Sequence, residues 1–319
     1  MGLILGTLFV CLLWLDTYAS GGWPQAPWST PPGCMLAIIS LIVIPLAAGE
    51  MKNLLSKENV NISMRIIVVA AALCMLWPWL EQVAETILLK HANATSIPLM
   101  QQIEASPWWT VGRFFRSVKP HYLVPSILVL SLLAAVIKHS RHHKVDGAMA
   151  NAGGTLLAIV YLGVLPGFFL PICMTHSAWM VLMIVAVVKA ADVGAYFTGK
   201  SIGKHKLIPW LSPGKTIEGF IGGLVLSGVV GAALTMTFRG PGEPLENYSQ
   251  FAVYTGGFLS GIFLGAAGQV GDLLESLLKR DAGVKDSGRV PGFGGVLDIL
   301  DSPLLAAPVA YWLLKLVLR

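Results

Sequence analysis

The chain has 319 residues, of which 55% are hydrophobic and only 12% are charged, against the roughly 25% charged residues typical of soluble domains. This composition excludes an ordinary soluble domain and places the chain in a lipid bilayer. The net charge of +5 does not indicate a nucleic-acid partner, because the basic residues fall in short connections between apolar runs, where they report membrane orientation.

Apolar runs that approach the ~20 residues needed to cross a bilayer recur along the whole chain. They lie at about residues 3–19, 34–51, 64–80, 122–138, 149–171, 177–198, 216–238, 251–278 and 303–318. The pattern predicts an all-α polytopic membrane protein with about nine transmembrane helices. The first run has no Lys or Arg before it, which favours a retained span over a signal peptide. The last run is short and contains Pro303 and Pro308, so we expect it to be tilted or kinked.

No internal repeat or low-complexity tract divides the sequence, so we predict a single membrane domain over 1–319. Within it, residues 1–145 would supply about four spans. Residues 146–319 would supply the remaining helices and two polar loops.

Lys and Arg positions predict the orientation of these spans. Most of the 22 basic residues fall in alternate connections, at Lys52, Lys57, Arg65, Lys138, Arg141, Lys144, Lys200, Lys204, Lys206, Lys215, Lys279, Arg280, Lys285 and Arg289. The positive-inside rule therefore predicts a cytoplasmic N-terminus, with both polar loops on the cytoplasmic side.

The first polar loop follows the sixth apolar run. Lys189, Asp192 and Tyr196 are spaced i, i+3 and i+7, so they share one helix face and Asp192 has a cation one turn away. This pair could be a structural ion pair or part of a functional site.

Residues 212–216, Ser-Pro-Gly-Lys-Thr, follow in the same loop and predict a helix start, with Ser212 as N-cap and Pro213 at the first helical position. Free backbone N–H groups there, together with Lys215, would suit a phosphate; a plain helix cap is an equal alternative. The segment is not a P-loop, because Pro209 stands where that motif needs glycine.

The second polar loop begins within the eighth run. A single polar stripe at helical spacing is formed by Asp272, Glu275, Ser276, Lys279 and Arg280. Glycines every fourth residue, at Gly257, Gly261 and Gly265, precede the stripe and predict close approach of another helix. Asp298 and Asp301 end the loop. Carboxylate sets of this kind bind hard cations such as Mg²⁺, which shares its coordination with substrate phosphates.

These two blocks resemble the CDP-diacylglycerol synthase (phosphatidate cytidylyltransferase) family. The family signature reads S-x-x-K-R, four residues, K-D-S-G, then P-G-H-G-G, two residues and D-R-x-D. This chain supplies Ser276, Lys279, Arg280, Lys285, Asp286, Ser287, Gly288, Pro291, Gly292, Gly294, Gly295, Asp298 and Asp301. The second shared block is matched by Ala191, Asp192, Gly194, Ala195, Tyr196, Gly199, Gly203, His205, Lys206, Leu207, Ser212, Pro213, Lys215, Thr216, Glu218 and Gly219.

The resemblance implies a nucleotidyltransferase that converts CTP and phosphatidic acid to CDP-diacylglycerol and diphosphate. By analogy, Mg²⁺ would be held by Asp272, Asp298 and Asp301, and a second cation is compatible with the family. Catalysis would fall to Asp272, Lys279, Arg280, Asp298 and Lys215. Substrate would contact Asp192, Lys215, Ser276, Lys285 and Asp286. The resemblance is also compatible with a homodimer in a bacterial inner membrane, with the active site facing the cytoplasm.

Three departures from the family pattern stand out: Phe293, where the family usually has histidine; Ile299, where it usually has arginine; and residues 289–291, a segment one residue shorter than is common. Phenylalanine neither donates a hydrogen bond nor titrates, so any proton or phosphate role of that histidine is lost or supplied by another group. Two other functions remain open: a CTP-dependent polyprenol or phytol kinase, which would release CDP, and a membrane ion transporter, which would not need CTP.

Overall fold

The structure, a computed structural model, describes residues 2–21, 30–92, 120–141, 145–238, 245–288 and 294–317. Contacts divide the chain into two compact units, Met1–Trp179 and Met180–Arg319. Within the described residues, eight helices are long and apolar enough to cross a membrane. The prediction of an all-α polytopic membrane protein is therefore confirmed.

The N-terminal unit begins with α1 (Gly2–Ser20), α2 (Cys34–Lys57), α3 (Met64–Ala92) and α4 (Pro120–Ser140). Next, α5 (Ala148–Ile159) continues through a π-helical turn (Val160–Val164) into short helical segments at Leu165–Gly167 and Phe169–Thr175. The first predicted span corresponds to α1, of which Thr7–Ser20 is a shorter apolar helix. The count of nine spans and the cytoplasmic N-terminus stay predictions.

A buried carboxylate joins the first two helices of this unit. Asp16 is 1% exposed and accepts hydrogen bonds from the backbone N–H groups of Gly33 and Met35, each at 2.8 Å. These N–H groups belong to the start of α2, where backbone donors have no intrahelical partner. Asp16 therefore caps α2 from α1.

The C-terminal unit contains nearly all of α6 (Ala178–Ile202), then a two-stranded antiparallel hairpin, α7 (Ile217–Thr235), α8 (Gln250–Asp281) and α9 (Val296–Val317). Strand β1 (Lys206–Ile208) pairs with β2 (Ser212–Thr216). A short 3₁₀ turn, Met236–Phe238, follows α7.

The helix predicted to start at Ser212 begins at Ile217 instead. Residues Ser212–Thr216 form β2, and the N-cap is Thr216, whose hydroxyl accepts a hydrogen bond from Gly219 N–H at 3.1 Å. Pro213 is compatible with both assignments, because proline fits the first turn of a helix and also a short edge strand.

The last helix starts earlier than its apolar run. It covers Val296–Val317, so Asp298 lies in its first turn and Asp301 lies one turn later. The hydropathy pattern did not predict this start, because the carboxylates Asp298 and Asp301 interrupt the apolar residues in the first two turns of the helix.

Glycines set the packing of α7 against α8. A Cβ atom on Gly231 would lie 2.5 Å from the Gly257 carbonyl oxygen, and one on Gly261 would collide with the backbone at Ser227. The predicted close approach along the α8 glycine stripe is confirmed, and α7 is the helix that approaches.

Candidate active site

Three carboxylates from two helices meet in the C-terminal unit. Asp272 and Glu275 lie one turn apart on α8, and Asp301 lies on α9; one ligand oxygen of each lies within 4.8 Å of the others. Glu275 and Asp301 are buried, at 1% and 8% exposure. Gly271 permits this meeting, because a Cβ atom there would lie 2.5 Å from the Asp301 backbone carbonyl oxygen.

Each of these carboxylates has a lysine neighbour, and the three lysines come from three different elements. Lys215 of β2 lies 2.8 Å from Asp272, and Lys189 of α6 lies 3.8 Å from Asp301. Lys279, one turn further along α8, forms an ion pair with Glu275. We call this set of three carboxylates and three lysines the acid–lysine cluster. The ion pairs offset part of the repulsion between carboxylates in a region of low dielectric constant.

Glu275 is the most enclosed member of the acid–lysine cluster. Both of its carboxylate oxygens are buried; Oε2 forms the ion pair with Lys279, and Oε1 has no hydrogen-bond partner in the part of the chain that the structure describes. A buried carboxylate with unused lone pairs is costly unless another partner binds it. The sequence placed Glu275 on the polar stripe but did not assign it a ligand role.

Asp298, predicted as a metal ligand, lies outside the group of three carboxylates. Its Oδ1 accepts from the Lys279 ammonium at 2.5 Å, and its Oδ2 accepts from the Ser287 backbone N–H at 3.0 Å and from the Ser287 hydroxyl at 2.8 Å. Gly294, at φ +81°, lets the backbone pass close to this carboxylate, since a Cβ atom there would lie 2.6 Å from Oδ2. Asp298 therefore fixes Lys279 and the loop that carries Ser287.

Ser302 joins α6 to α9 and was not singled out by the sequence. Its hydroxyl donates to Asp192 at 3.3 Å and can donate to Asp301 at 3.0 Å, and its backbone N–H donates to Asp301 at 2.5 Å. The Lys189 ammonium lies 3.0 Å from Asp192, which confirms the predicted i, i+3 pair. The sequence signal that could have identified Ser302 is its position directly after Asp301 at the start of an apolar run.

The hairpin carries Lys215 to Asp272, and Glu218 of α7 fixes the hairpin. The Glu218 carboxylate accepts hydrogen bonds from Lys204 N–H at 3.1 Å and His205 N–H at 3.2 Å, and it lies 2.6 Å from His205 Nδ1. Thr216, the last residue of β2, is the N-cap of α7 and so connects the hairpin directly to that helix. Lys215 is therefore positioned by two side chains at the start of α7.

Other predicted site residues lie around the cluster. The Ser276 hydroxyl donates to Asp272 at 3.4 Å. Arg280 donates to the Leu211 carbonyl at 3.5 Å and to the Val284 carbonyl at 3.4 Å, so it ties the hairpin to the end of α8.

The remaining predicted residues fall in or beyond the loop after α8. Lys285 and Asp286 are exposed there, and Ile299 is half-buried on α9. Phe293 lies outside the described residues.

A polar cavity of about 480 Å³ opens beside the acid–lysine cluster. Its lining includes Asp192, Tyr196, Lys200, Lys215, Gln269 and Asp272, from α6, the hairpin and α8. Asp272 and Lys215 thus face the cavity. A group that enters the cavity reaches the acid–lysine cluster at this pair.

The protein is therefore an integral membrane protein of the all-α class. Its C-terminal unit contains buried carboxylates, lysines paired with them and an adjoining polar cavity. Comparison with known proteins then shows which family this is. The chain matches the Cytidylyltransferase family over residues 27–317, and it belongs to that family.

Several phosphatidate cytidylyltransferases are similar to this chain. The Bacillus subtilis (strain 168) protein is 40% identical over 169 residues, covering 52% of this chain and 59% of its own length. The Chlamydia muridarum protein is 32% identical over 200 residues, covering 60% and 64%. The Staphylococcus aureus (strain COL) protein is 36% identical over 215 residues, covering 67% and 74%. The chain therefore spans less than two thirds of the first two relatives' lengths.

Proposed function

We propose that this protein is a phosphatidate cytidylyltransferase, which converts CTP and phosphatidic acid to CDP-diacylglycerol and diphosphate. The observation that carries the proposal is the acid–lysine cluster, which opens through Asp272 and Lys215 onto a polar cavity. Family membership and the names of the similar proteins support the same reaction.

The reaction brings two polyanions together. A phosphate oxygen of phosphatidic acid attacks the α-phosphorus of CTP, a new P–O bond forms, and the bond to the β-phosphate breaks to release diphosphate. Phosphatidic acid is already ionised near neutral pH, so no general base is needed. The protein must mainly neutralise charge and align the reacting groups.

The residues of the cluster fit a hard divalent cation. Three carboxylates with ligand oxygens within 4.8 Å of one another, including a buried Glu275 whose Oε1 has no hydrogen-bond partner among the described residues, match the oxygen ligands that Mg²⁺ prefers. We assign Mg²⁺ to Asp272, Glu275 and Asp301. Glu275 thus replaces Asp298 in the ligand set that the family resemblance implies. Bound there, Mg²⁺ would neutralise phosphate charge and polarise the reacting P–O bonds.

Among the lysines of the cluster, Lys215 would act on the phosphates and Lys279 on the carboxylates. Lys215 faces the cavity at Asp272, where it can hold phosphate oxygens as they arrive. Lys279 is fixed between Glu275 and Asp298, so its role is to hold the carboxylates in place. Arg280 supports the hairpin and thereby the position of Lys215.

Location follows from the substrates, because CTP is water-soluble and the acyl chains of phosphatidic acid stay in lipid. The excess of Lys and Arg in the connections that hold both polar loops supports a cytoplasmic site in a bacterial inner membrane. A Trp210→Cys variant at the exposed hairpin tip tests this: a membrane-impermeant thiol reagent should label it only after inverted vesicles expose the cytoplasmic face.

The test of function uses the purified chain in liposomes that contain phosphatidic acid, a polyprenol and phytol, with Mg²⁺ and CTP labelled at either the α- or the γ-phosphate. Cytidylyl transfer places the α label in lipid and releases the γ label as diphosphate, both lost on chelation. A kinase would place the γ label in lipid and release CDP. Incorporation of neither label would contradict both enzymes and leave ion flux as the next assay.

A matched pair of variants links the reaction to the cluster. Asp272→Asn should abolish transfer, because it removes a carboxylate that meets both the cavity and Lys215. Asp281→Asn, at the exposed end of the same helix, should leave transfer near the unaltered level.

A further inference from the structure

The polar cavity extends from the acid–lysine cluster along one face of α6. Asp192, Tyr196 and Lys200 line it at spacings of i, i+4 and i+8, a rise of roughly 12 Å along the helix axis. α6 ends at Ile202, just beyond Lys200, and the hairpin follows. The cavity therefore leads from the cluster toward the polar end of the helix and away from the apolar span.

This direction separates the two substrates of the proposed reaction. The acyl chains of a lipid must remain toward the apolar part of the helices, so the lipid phosphate approaches from the membrane side. A water-soluble nucleotide can occupy the opposite direction, where hairpin residues Ser212 and Lys215 form part of the wall. A second cavity of about 400 Å³ in this unit has no charged side chain among its described lining residues, so it does not suit a nucleotide.

Tyr196 supplies a flat surface in the middle of the polar cavity. Its side chain is 60% exposed, and its ring packs edge-to-face against Phe197 with centroids 5.4 Å apart. The Lys200 ammonium lies 5.6 Å from the Tyr196 ring centroid. An accessible aromatic ring beside a cation is a common platform for nucleobases, because every base has a π-face that stacks.

We infer that Tyr196 stacks on the base of the nucleotide while the nucleotide's phosphates lie at Lys215 and Asp272. One helical turn, roughly 6 Å along the axis of α6, separates Tyr196 from Asp192, which Lys189 and Ser302 link to Asp301 of the cluster. The inference deepens the proposed function and rests on it. It makes Tyr196 a nucleoside-binding residue.

The experiment measures binding of CTP and of inorganic tripolyphosphate to the purified full chain in detergent with Mg²⁺, by isothermal titration calorimetry. Tripolyphosphate carries the phosphates without base or ribose, so it reports on the cluster alone. Tyr196→Leu removes the ring, Tyr196→Phe keeps it, and Tyr254→Leu removes an exposed tyrosine ring of α8 outside the lining of the cavity.

Base stacking is worth about 1–3 kcal/mol, so Tyr196→Leu should weaken CTP binding by roughly 5- to 150-fold and leave tripolyphosphate binding unchanged. Tyr196→Phe and Tyr254→Leu should both bind CTP like the unaltered chain. Equal weakening of both ligands by Tyr196→Leu, or no change in CTP binding, would overturn the inference while the proposed function stands. An unaltered chain that binds tripolyphosphate but shows no preference for CTP would contradict the proposed function itself.

Discussion

Lys279 is held between two carboxylates, in an ion pair with Glu275 on its own helix and 2.5 Å from Asp298 on α9. The three side chains have between 1% and 13% of their surface exposed, so solvent screens them little. A buried charge left without its partner typically costs about 3–5 kcal/mol. Lys279 is therefore a structural requirement of the site as well as a candidate catalytic residue.

Lys279→Met should lower the thermal unfolding midpoint in detergent, because it leaves Glu275 and Asp298 without a cation. Lys315→Met, which removes an exposed lysine that lies over the Tyr311 and Trp312 rings of α9, is the matched control and should change the midpoint little. Combining Lys279→Met with Glu275→Gln should recover part of the loss, since one unpaired charge is removed. Equal midpoints for the two single lysine variants would contradict the structural role of Lys279.

Substitutions of Glu275 and Asp298 should weaken metal binding to different extents. If Mg²⁺ is held by Asp272, Glu275 and Asp301, Glu275→Gln should weaken binding of Mn²⁺, a spectroscopic substitute, by at least about 10- to 100-fold, the range seen when only outer-shell partners are lost. Asp298→Asn should weaken it less, because Asp298 is occupied by Lys279 and Ser287. Electron paramagnetic resonance titration of free Mn²⁺ measures both, and the reverse order would restore Asp298 to the ligand set.

The Thr216 cap should matter for catalysis because it positions Lys215. Thr216→Val keeps the shape of the side chain but removes the hydroxyl that accepts from Gly219, a change that costs about 0.5–2 kcal/mol at an N-cap. We expect a lower unfolding midpoint and reduced cytidylyl transfer, while Thr216→Ser, which retains the hydroxyl, should keep most of both. Full activity in the valine variant would show that Lys215 is held by other contacts.

The helices could be predicted from the sequence because apolar runs of sufficient length determine them directly, as for α2, α3 and α6. The start of α9 could not, because Asp298 and Asp301 give Val296–Ser302 the composition of a loop. The hairpin was missed for a related reason: Ser212 and Pro213 suit a helix start as well as a strand.

The membership of the site could be predicted better than its geometry. Asp272 and Asp301 were identified as candidate ligands from charge and from the family motif, and both belong to the group of three carboxylates. The identity of the third carboxylate depends on how closely α9 approaches α8 at Gly271. That distance is a property of the tertiary packing and cannot be read from the spacing of residues along one helix. Ser302 depends on the same packing, since it reaches Asp192 only when α6 and α9 are adjacent.

Gly271 offers the sharpest test of that packing. In Gly271→Ala, the added methyl group would lie 2.5 Å from the Asp301 carbonyl oxygen, so α9 must move away from α8 and carry Asp301 with it. Overpacking of this kind costs about 1–3 kcal/mol, and a displacement of about 1 Å in a catalytic group can reduce the rate about 100-fold.

Gly256→Ala on the same helix is the matched control, because nothing lies within 4 Å of the added methyl group. That variant should be unchanged or stabilised by up to about 1 kcal/mol, since alanine favours helix more than glycine does. Cytidylyl transfer and Mn²⁺ affinity measured on both variants decide the matter. Loss of both in Gly271→Ala alone would show that the α8–α9 contact assembles the carboxylates, whereas parallel behaviour of the two variants would mean that the cluster does not depend on this contact.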